Sequence, residues 1–262
     1  MSAPRRPVPR PIVVPAGIAV TLLALPLVGL LQRAPWSSMI TRLTASEILD
    51  AIRVSLVVSV SAAALCLVLG LPLAWVMARQ EGRTIAALRV LVLLPLVLPP
   101  VVGGTALLFA LGRRGLFGEW LDRWFGITLP FTTAGAVVAA TFVALPFFVM
   151  TVESALRDEG LLLDEAAAAA GASPWQTFLH VTLPVQRPAI AAGVALSWAR
   201  ALGEFGATIT FAGSLGGRTR TLPVETFLAL EQDPETAIAV SVLLLGISLA
   251  VLAVLRGRWL GR

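Results

Sequence analysis

The chain has 262 residues, of which 57% are hydrophobic and only 13% are charged. Soluble domains carry roughly 25% charged residues, so this composition indicates a protein that is solvated by lipid. The net charge is +5, but every basic residue is an arginine and the arginines form no basic block, which argues against a nucleic-acid partner. The chain has no lysine for a P-loop, and its single cysteine and single histidine exclude an internal disulfide and a multi-histidine metal site.

Long apolar segments without charge recur along the chain. About 20 apolar residues cross the hydrocarbon core of a bilayer, so the segments predict an all-α, polytopic membrane protein with about six transmembrane helices. One of the six carries Arg200 and Glu204 and is included because it is otherwise as apolar as the rest. The predicted transmembrane domain covers 12–255, with spans at 12–32, 54–78, 90–112, 131–152, 189–212 and 236–255, a disordered tail at 1–11 and a second tail at 256–262.

Two spans admit a second interpretation. The first span follows a basic start and could be a secretory signal, but it exceeds the usual 7–15-residue signal core and no clear cleavage site follows, which favours an uncleaved helix. The third span contains Pro95, Pro99 and Pro100. Because proline removes a backbone donor and bends a helix, this span is either a broken helix that lines a pathway or a kinked packing helix.

The longest segment between two spans, 153–187, reads as a helical hairpin. Asp164 is a suitable N-cap for a short helix over 165–170, and Gly171 suits the left-handed stop that follows. Ser173 and Pro174 then begin a second helix as cap and first residue. Such a hairpin either docks against a partner or lies flat on the lipid headgroups.

The second half of this hairpin resembles a known family. It reads "EAAAAAGASPWQTFLHVTLP", which is similar to the Glu-Ala-Ala, Gly and Leu-Pro motif of the permease subunits of binding-protein-dependent ABC importers. The matching positions are Glu165, Ala166, Ala167, Gly171, Val181, Leu183 and Pro184. The resemblance implies that 153–187 is a cytoplasmic coupling loop whose helix inserts into an ATPase subunit. Both termini are then cytoplasmic, and this chain holds no cofactor of its own, since ATP and Mg are bound by the partner.

A later stretch, "WARALGEFGATITFAGSLGGRTRTLP", resembles the oxyanion branch of the same family, and its 203–211 portion is most similar to molybdate permeases. The resemblance, which covers roughly 50–255, implies an inner-membrane permease that moves molybdate by alternating access. Sulfate and tungstate are alternative substrates. The implied partners are a second copy of the permease, two ATPase subunits, an extracytoplasmic oxyanion-binding protein and the lipid bilayer. The chain itself is expected to have no catalytic residue and no metal site.

Arg200 and Glu204 are four residues apart, which places them on one helix face together with Ser197 and Thr208. Charges at membrane depth usually pair or face an aqueous cavity. This face therefore either lines the anion pathway or holds a structural ion pair.

The sequence argues against two other functions. An intramembrane enzyme is disfavoured because every aspartate lies outside the predicted spans and His180 lies in the hairpin. An ion-driven secondary transporter would leave the hairpin motif unexplained.

Overall fold

A computed structural model describes residues 9–259, without the side chains at positions 10, 158–163 and 254–259. Over that part of the chain the regular structure is helical and includes no β-strand, which confirms the all-α prediction. The helices are α1 (Arg10–Gln32), α2 (Met39–Leu43), α3 (Ser46–Arg79), α4 (Arg83–Val97), α5 (Pro100–Leu111), α6 (Gly118–Phe125), α7 (Thr133–Ala169), α8 (Pro174–Thr177), α9 (Leu183–Leu202), α10 (Gly206–Phe211), α11 (Leu222–Gln232) and α12 (Pro234–Trp259). A π-helical segment, Phe178–Thr182, joins α8 to α9.

Several of these helices can cross a membrane by length and composition. Four in the described part qualify alone, namely those over Pro11–Gln32, Ser46–Arg79, Thr133–Arg157 and Pro234–Ala253, and the bent pair of α4 and α5 adds a fifth. The region counted as a further span from the sequence is divided between α9 and α10. α9 is less apolar than the helices that qualify as spans, because it contains Gln186, Arg187 and Arg200.

The centre of the bundle is formed by α3, α7 and α9. Phe148 of α7 is fully buried between Gly70 of α3 and Gly193 of α9. A Cβ atom at Gly70 would lie 2.6 Å from the Phe148 ring, and one at Gly193 would lie 3.1 Å from it. Small residues let membrane helices approach closely, so these two glycines make the space that the phenylalanine fills.

Two predicted spans are broken, and the breaks meet. The span at 90–112 is two helices, α4 and α5, that bend by 117°, since Pro99 and Pro100 cannot donate the hydrogen bonds that would continue α4. The span at 189–212 stops at Leu202 and resumes as α10. Glycines allow the two breaks to pack closely against each other. A Cβ at Gly206 would lie 2.7 Å from Pro100, and one at Gly104 would lie 2.8 Å from the Ala207 carbonyl oxygen.

The remaining differences concern helix ends. α7 was expected to end at 152 but continues to Ala169 and is about 55 Å long, so 153–187 is mostly helical. The last two residues of the predicted tail 1–11 are already helical, because Pro11 is tolerated in the first turn of α1. α12 extends through 256–259 of the second predicted tail, and 1–8 and 260–262 lie outside the described residues.

Candidate functional site

The turn of the hairpin follows the local sequence rules. α7 ends at Ala169, and Gly171 has φ +84°, which confirms the predicted left-handed stop. The Ala172 N–H donates to the Ala167 carbonyl at 3.0 Å and the Gly171 N–H to the Ala168 carbonyl at 2.9 Å, the bonding pattern of a Schellman motif. Among the described residues, no neighbouring atom lies within 4 Å of where a Cβ at Gly171 would stand, so within that part of the chain only the backbone angle restricts this position.

The second arm also begins as predicted. The Ser173 hydroxyl accepts from the Gln176 N–H at 3.3 Å, while the Gln176 side chain accepts from the Ser173 N–H at 2.8 Å. This reciprocal capping box, with Pro174 in the first turn, fixes the start of α8. The first arm differs from its prediction: Asp164 lies inside α7 and caps no short helix over 165–170, because the alanine run lets α7 propagate through it.

Aromatic contacts seat the hairpin against α3. The Phe178 ring meets Trp75 of α3 edge-on, with centroids 5.6 Å apart, and stacks on Trp175 at 5.6 Å. Trp175 remains 66% exposed, whereas Thr177 and Thr182 are buried. The hairpin therefore has an inner face that packs on the bundle and an outer face that is exposed among the described residues.

The motif residues mostly lie on the outer side of this hairpin. The structure brings Glu165, Ala166 and Ala167 to the last turns of α7 and Gly171 to the tip, and all but the half-buried Ala167 are exposed. On the returning arm, Leu183 is half-buried and Pro184 exposed at the start of α9.

Two ion pairs that sequence reasoning missed join the hairpin region to neighbouring helices. Arg79, in the last turn of α3, pairs with Asp164 of α7, and its guanidinium also lies 5.7 Å from the Trp75 ring centroid. The Thr182 hydroxyl donates to the other Asp164 oxygen at 3.4 Å. Residues on α3, on α7 and on the returning arm thus meet at one carboxylate.

The second pair binds α4 to α7. Arg89 Nε donates to the buried Glu153 carboxylate at 2.8 Å, and its Nη2 donates to the Met77 carbonyl of α3 at 2.9 Å. Arg157 approaches the same carboxylate at 3.7 Å. The only signal in the sequence was the position of Arg79, Arg89 and Glu153 at the ends of predicted spans, and nothing in the sequence indicated which charges would meet.

The structure brings Arg200 and Glu204 together at the break between α9 and α10. Their closest N–O distance is 2.6 Å, and Glu204 is only 1% exposed. The second Glu204 oxygen accepts from the Ala207 N–H at 2.8 Å. One carboxylate therefore pairs with the end of α9 and also caps the start of α10, and Glu204 itself lies outside both helices.

The prediction that these residues share one face of a single helix is wrong, because the break between α9 and α10 divides them. Ser197 is buried on α9 and donates to the Val194 carbonyl at 3.0 Å, whereas Thr208 lies on α10. Thr208 is also buried, and its hydroxyl has no hydrogen-bond partner among the described residues.

Comparison with known proteins decides the family. Residues 70–261 match the family described as "Binding-protein-dependent transport system inner membrane component". The chain belongs to this family. This permease is 44% identical over 248 residues to the "Molybdenum transport system permease protein ModB" of Mycobacterium tuberculosis. The alignment covers 95% of this chain and 94% of the relative.

It is also 37% identical over 237 residues to the "Sulfate transport system permease protein CysT" of Escherichia coli, covering 88% of this chain and 84% of the relative. Among solved structures, a bacterial alginate ABC transporter in complex with alginate pentasaccharide-bound periplasmic protein has a TM-score of 0.72 at 17% identity, covering 93% of this chain and 91% of that chain. That likeness establishes the fold. The permease is thus a multi-pass inner-membrane component of a binding-protein-dependent transport system.

Proposed function

We propose that this chain is the permease subunit of an ABC importer that carries molybdate into the cell. The observation that carries the substrate assignment is the 44% identity to a molybdenum permease over nearly the full length of both chains. Sulfate is the second candidate, because the sulfate permease aligns over much of the chain at 37% identity. Tungstate is expected to accompany molybdate, since the two anions have nearly the same size and charge.

The proposed role of the hairpin is to couple ATP hydrolysis in a partner to movement of the bundle. Its outer face carries Glu165, Gly171 and the exposed Trp175, whereas its inner face is bound to α3 through Phe178. A tip that is exposed on one side and anchored on the other suits a segment that is pushed by a partner. ATP and Mg belong to that partner, and this subunit performs no covalent chemistry.

The proposed assembly contains two copies of this permease, two ATPase subunits and an extracytoplasmic oxyanion-binding protein. The hairpin lies on the cytoplasmic side together with both termini. Alternating access then follows from closure of the ATPase pair, which draws the two hairpins together and reorients α3 and α7. Arg200 and Glu204 act in this scheme as a structural pair that holds the α9–α10 break, with Ser197 and Thr208 buried beside it.

The test uses the permease–ATPase complex in proteoliposomes with its own binding protein. We expect uptake of labelled molybdate that requires ATP on the ATPase side, requires the binding protein and survives collapse of ion gradients by ionophores. Excess tungstate should compete and excess sulfate should compete poorly. Uptake of sulfate without molybdate would move the chain to the sulfate branch, and uptake that needs an ion gradient without ATP would refute an ABC importer.

A further inference from the structure

The short helix α6, which precedes α7, has two chemically different faces. Its sequence and helical spacing place Phe117, Trp120 and Trp124 on one side, and Glu119 and Arg123 on the other. The charged side chains of α6 form ion pairs. Arg123 pairs with Glu119 at 2.6 Å, and Asp122 of the same helix pairs with Arg113 at 3.0 Å.

The apolar side is exposed in the part of the chain that the structure describes. Trp124 is 69% exposed, and its large apolar neighbours are exposed as well, namely Leu116, Phe117, Trp120 and Phe125. The rings of Trp120 and Phe125 meet edge-on with centroids 5.4 Å apart, so these two exposed side chains form a contiguous aromatic patch. A contiguous apolar patch at the surface marks a surface for a protein or a membrane.

Hydrogen bonds to α5 fix the position of this patch relative to the end of α5. The Leu116 N–H donates to the Phe109 carbonyl at 3.1 Å, and the Phe117 N–H donates to the Ala110 carbonyl at 2.8 Å. A Cβ at Gly118 would stand only 1.8 Å from the Gly112 carbonyl oxygen, so glycine is needed for this close approach. The first turn of α6 therefore lies beside the last turn of the bent span, where Phe109 is 74% exposed.

We propose that α6 lies in the plane of the membrane surface, with its aromatic face in the boundary between lipid headgroups and acyl chains. The patch continues the exposed apolar surface of α5 at the end of a membrane-crossing segment. Tryptophan is enriched at that boundary, and a helix with segregated charged and aromatic faces lies flat in it. α6 precedes the first residue of α7, and the tip of the hairpin follows the last residue of α7. Because α7 crosses the membrane between them, α6 lies on the leaflet opposite the hairpin tip. The proposal is independent of the transported substrate.

The test places a fluorophore on either face of α6 in the full-length permease. The native Cys66 is buried, so an environment-sensitive thiol probe can be directed to Trp124→Cys on the apolar face. Glu119→Cys on the charged face is the matched control, and Phe125→Cys is a second reporter that retains both tryptophans. Unsubstituted protein gives the background from Cys66. Each sample is placed in lipid nanodiscs, with and without lipids that carry a nitroxide near the headgroup end of the acyl chain.

We expect blue-shifted emission and severalfold stronger quenching by the nitroxide lipids at 124 and 125 than at 119. Equal quenching on the two faces, or none on the apolar face, would overturn the proposal. If the emission of the apolar-face probe is not quenched by the nitroxide lipids but changes on addition of binding protein, or of excess unlabelled permease, the patch is a protein-docking surface. That result would also refute the proposal. None of these readouts depends on transport, so failure here leaves the proposed function intact.

Discussion

Arg79, in the last turn of α3, forms an ion pair with Asp164 of α7 although 85 positions separate them in the chain. The same carboxylate accepts from Thr182 on the returning arm of the hairpin, and the arginine lies over the Trp75 ring. A displacement of the hairpin therefore acts on α3 through side chains as well as on α7 through the backbone. This arrangement makes the ion pair a test of the coupling role.

Replacing Asp164 by Asn should loosen this connection without removing the hairpin. A hydrogen bond to a charged group contributes about 1.5–3 kcal/mol, and Arg79 is largely enclosed, so its lost counter-ion is not fully replaced by water. We expect ATP hydrolysis by the complex to continue while molybdate uptake per ATP falls several-fold. Both quantities are measured in the same proteoliposomes.

The exchanged pair, Arg79→Asp with Asp164→Arg, should recover part of the lost coupling. The control Arg33→Ala, at the exposed end of α1, should change neither ATP hydrolysis nor molybdate uptake. Recovery distinguishes an interaction between the two residues from general damage to the fold. Coupling that stays at the unsubstituted level in Asp164→Asn would remove the ion pair from the mechanism.

Gly171 offers a second test, because its φ of +84° is the one restriction that the described residues place on this position. An L-residue in the left-handed region costs about 1–2 kcal/mol, and a β-branched residue is the least tolerated there. Gly171→Val should reduce association with the ATPase and stimulation of its activity, whereas Gly171→Asn should keep most of both. Co-purification from membranes and ATP hydrolysis give the two readouts, and equal behaviour of the two variants would refute a role for this backbone conformation.

The parts of the hairpin that were predictable depend on neighbours in the sequence. A glycine after an alanine run and a Ser-Pro pair each have one favoured local conformation, and Gly171 and Ser173 adopt it. Asp164 was misassigned as a helix cap because an aspartate before alanines suits a cap as well as a helix interior. Asp164 lies inside α7, where its carboxylate pairs with the distant Arg79, and no local pattern identifies that partner.

The break at Gly203 was missed for a related reason. The spacings of three, four and four residues from Ser197 through Arg200 and Glu204 to Thr208 look helical even though the backbone leaves the helix after Leu202. Glu204 replaces the lost helical hydrogen bonding with its own carboxylate, which caps α10. Side-chain substitution for backbone bonding leaves the periodic pattern intact, so periodicity cannot reveal it.

Glu204 is therefore expected to have two separable contributions. Glu204→Gln removes the charge that pairs with Arg200 but keeps an oxygen that can accept from the Ala207 N–H, whereas Glu204→Ala loses both. Stranding one charge of a buried pair costs about 3–5 kcal/mol, so Arg200→Met alone should lower the thermal unfolding midpoint strongly. The double variant Arg200→Met with Glu204→Gln should lose less than the sum of the single changes. Additive losses in nanodiscs would show that the two residues do not interact.

The contact between the two helix breaks gives the last prediction. At Gly104 of α5 an added Cβ would lie 2.8 Å from both the Ala207 carbonyl oxygen and the Thr210 Cβ. Because backbone stands in the way, α5 and α10 must separate to admit a methyl group, and overpacking of this kind costs about 1–3 kcal/mol.

Gly104→Ala should therefore lower the thermal unfolding midpoint of the permease in nanodiscs. Gly246→Ala on α12 is the matched control, since no atom of the structurally described residues lies within 4 Å of its added Cβ and alanine favours a helix over glycine. It should leave the midpoint unchanged or raise it. If Gly104→Ala behaves like this control, the two breaks do not pack as closely in the membrane as they do here, and the discontinuities of α4–α5 and α9–α10 are independent of each other.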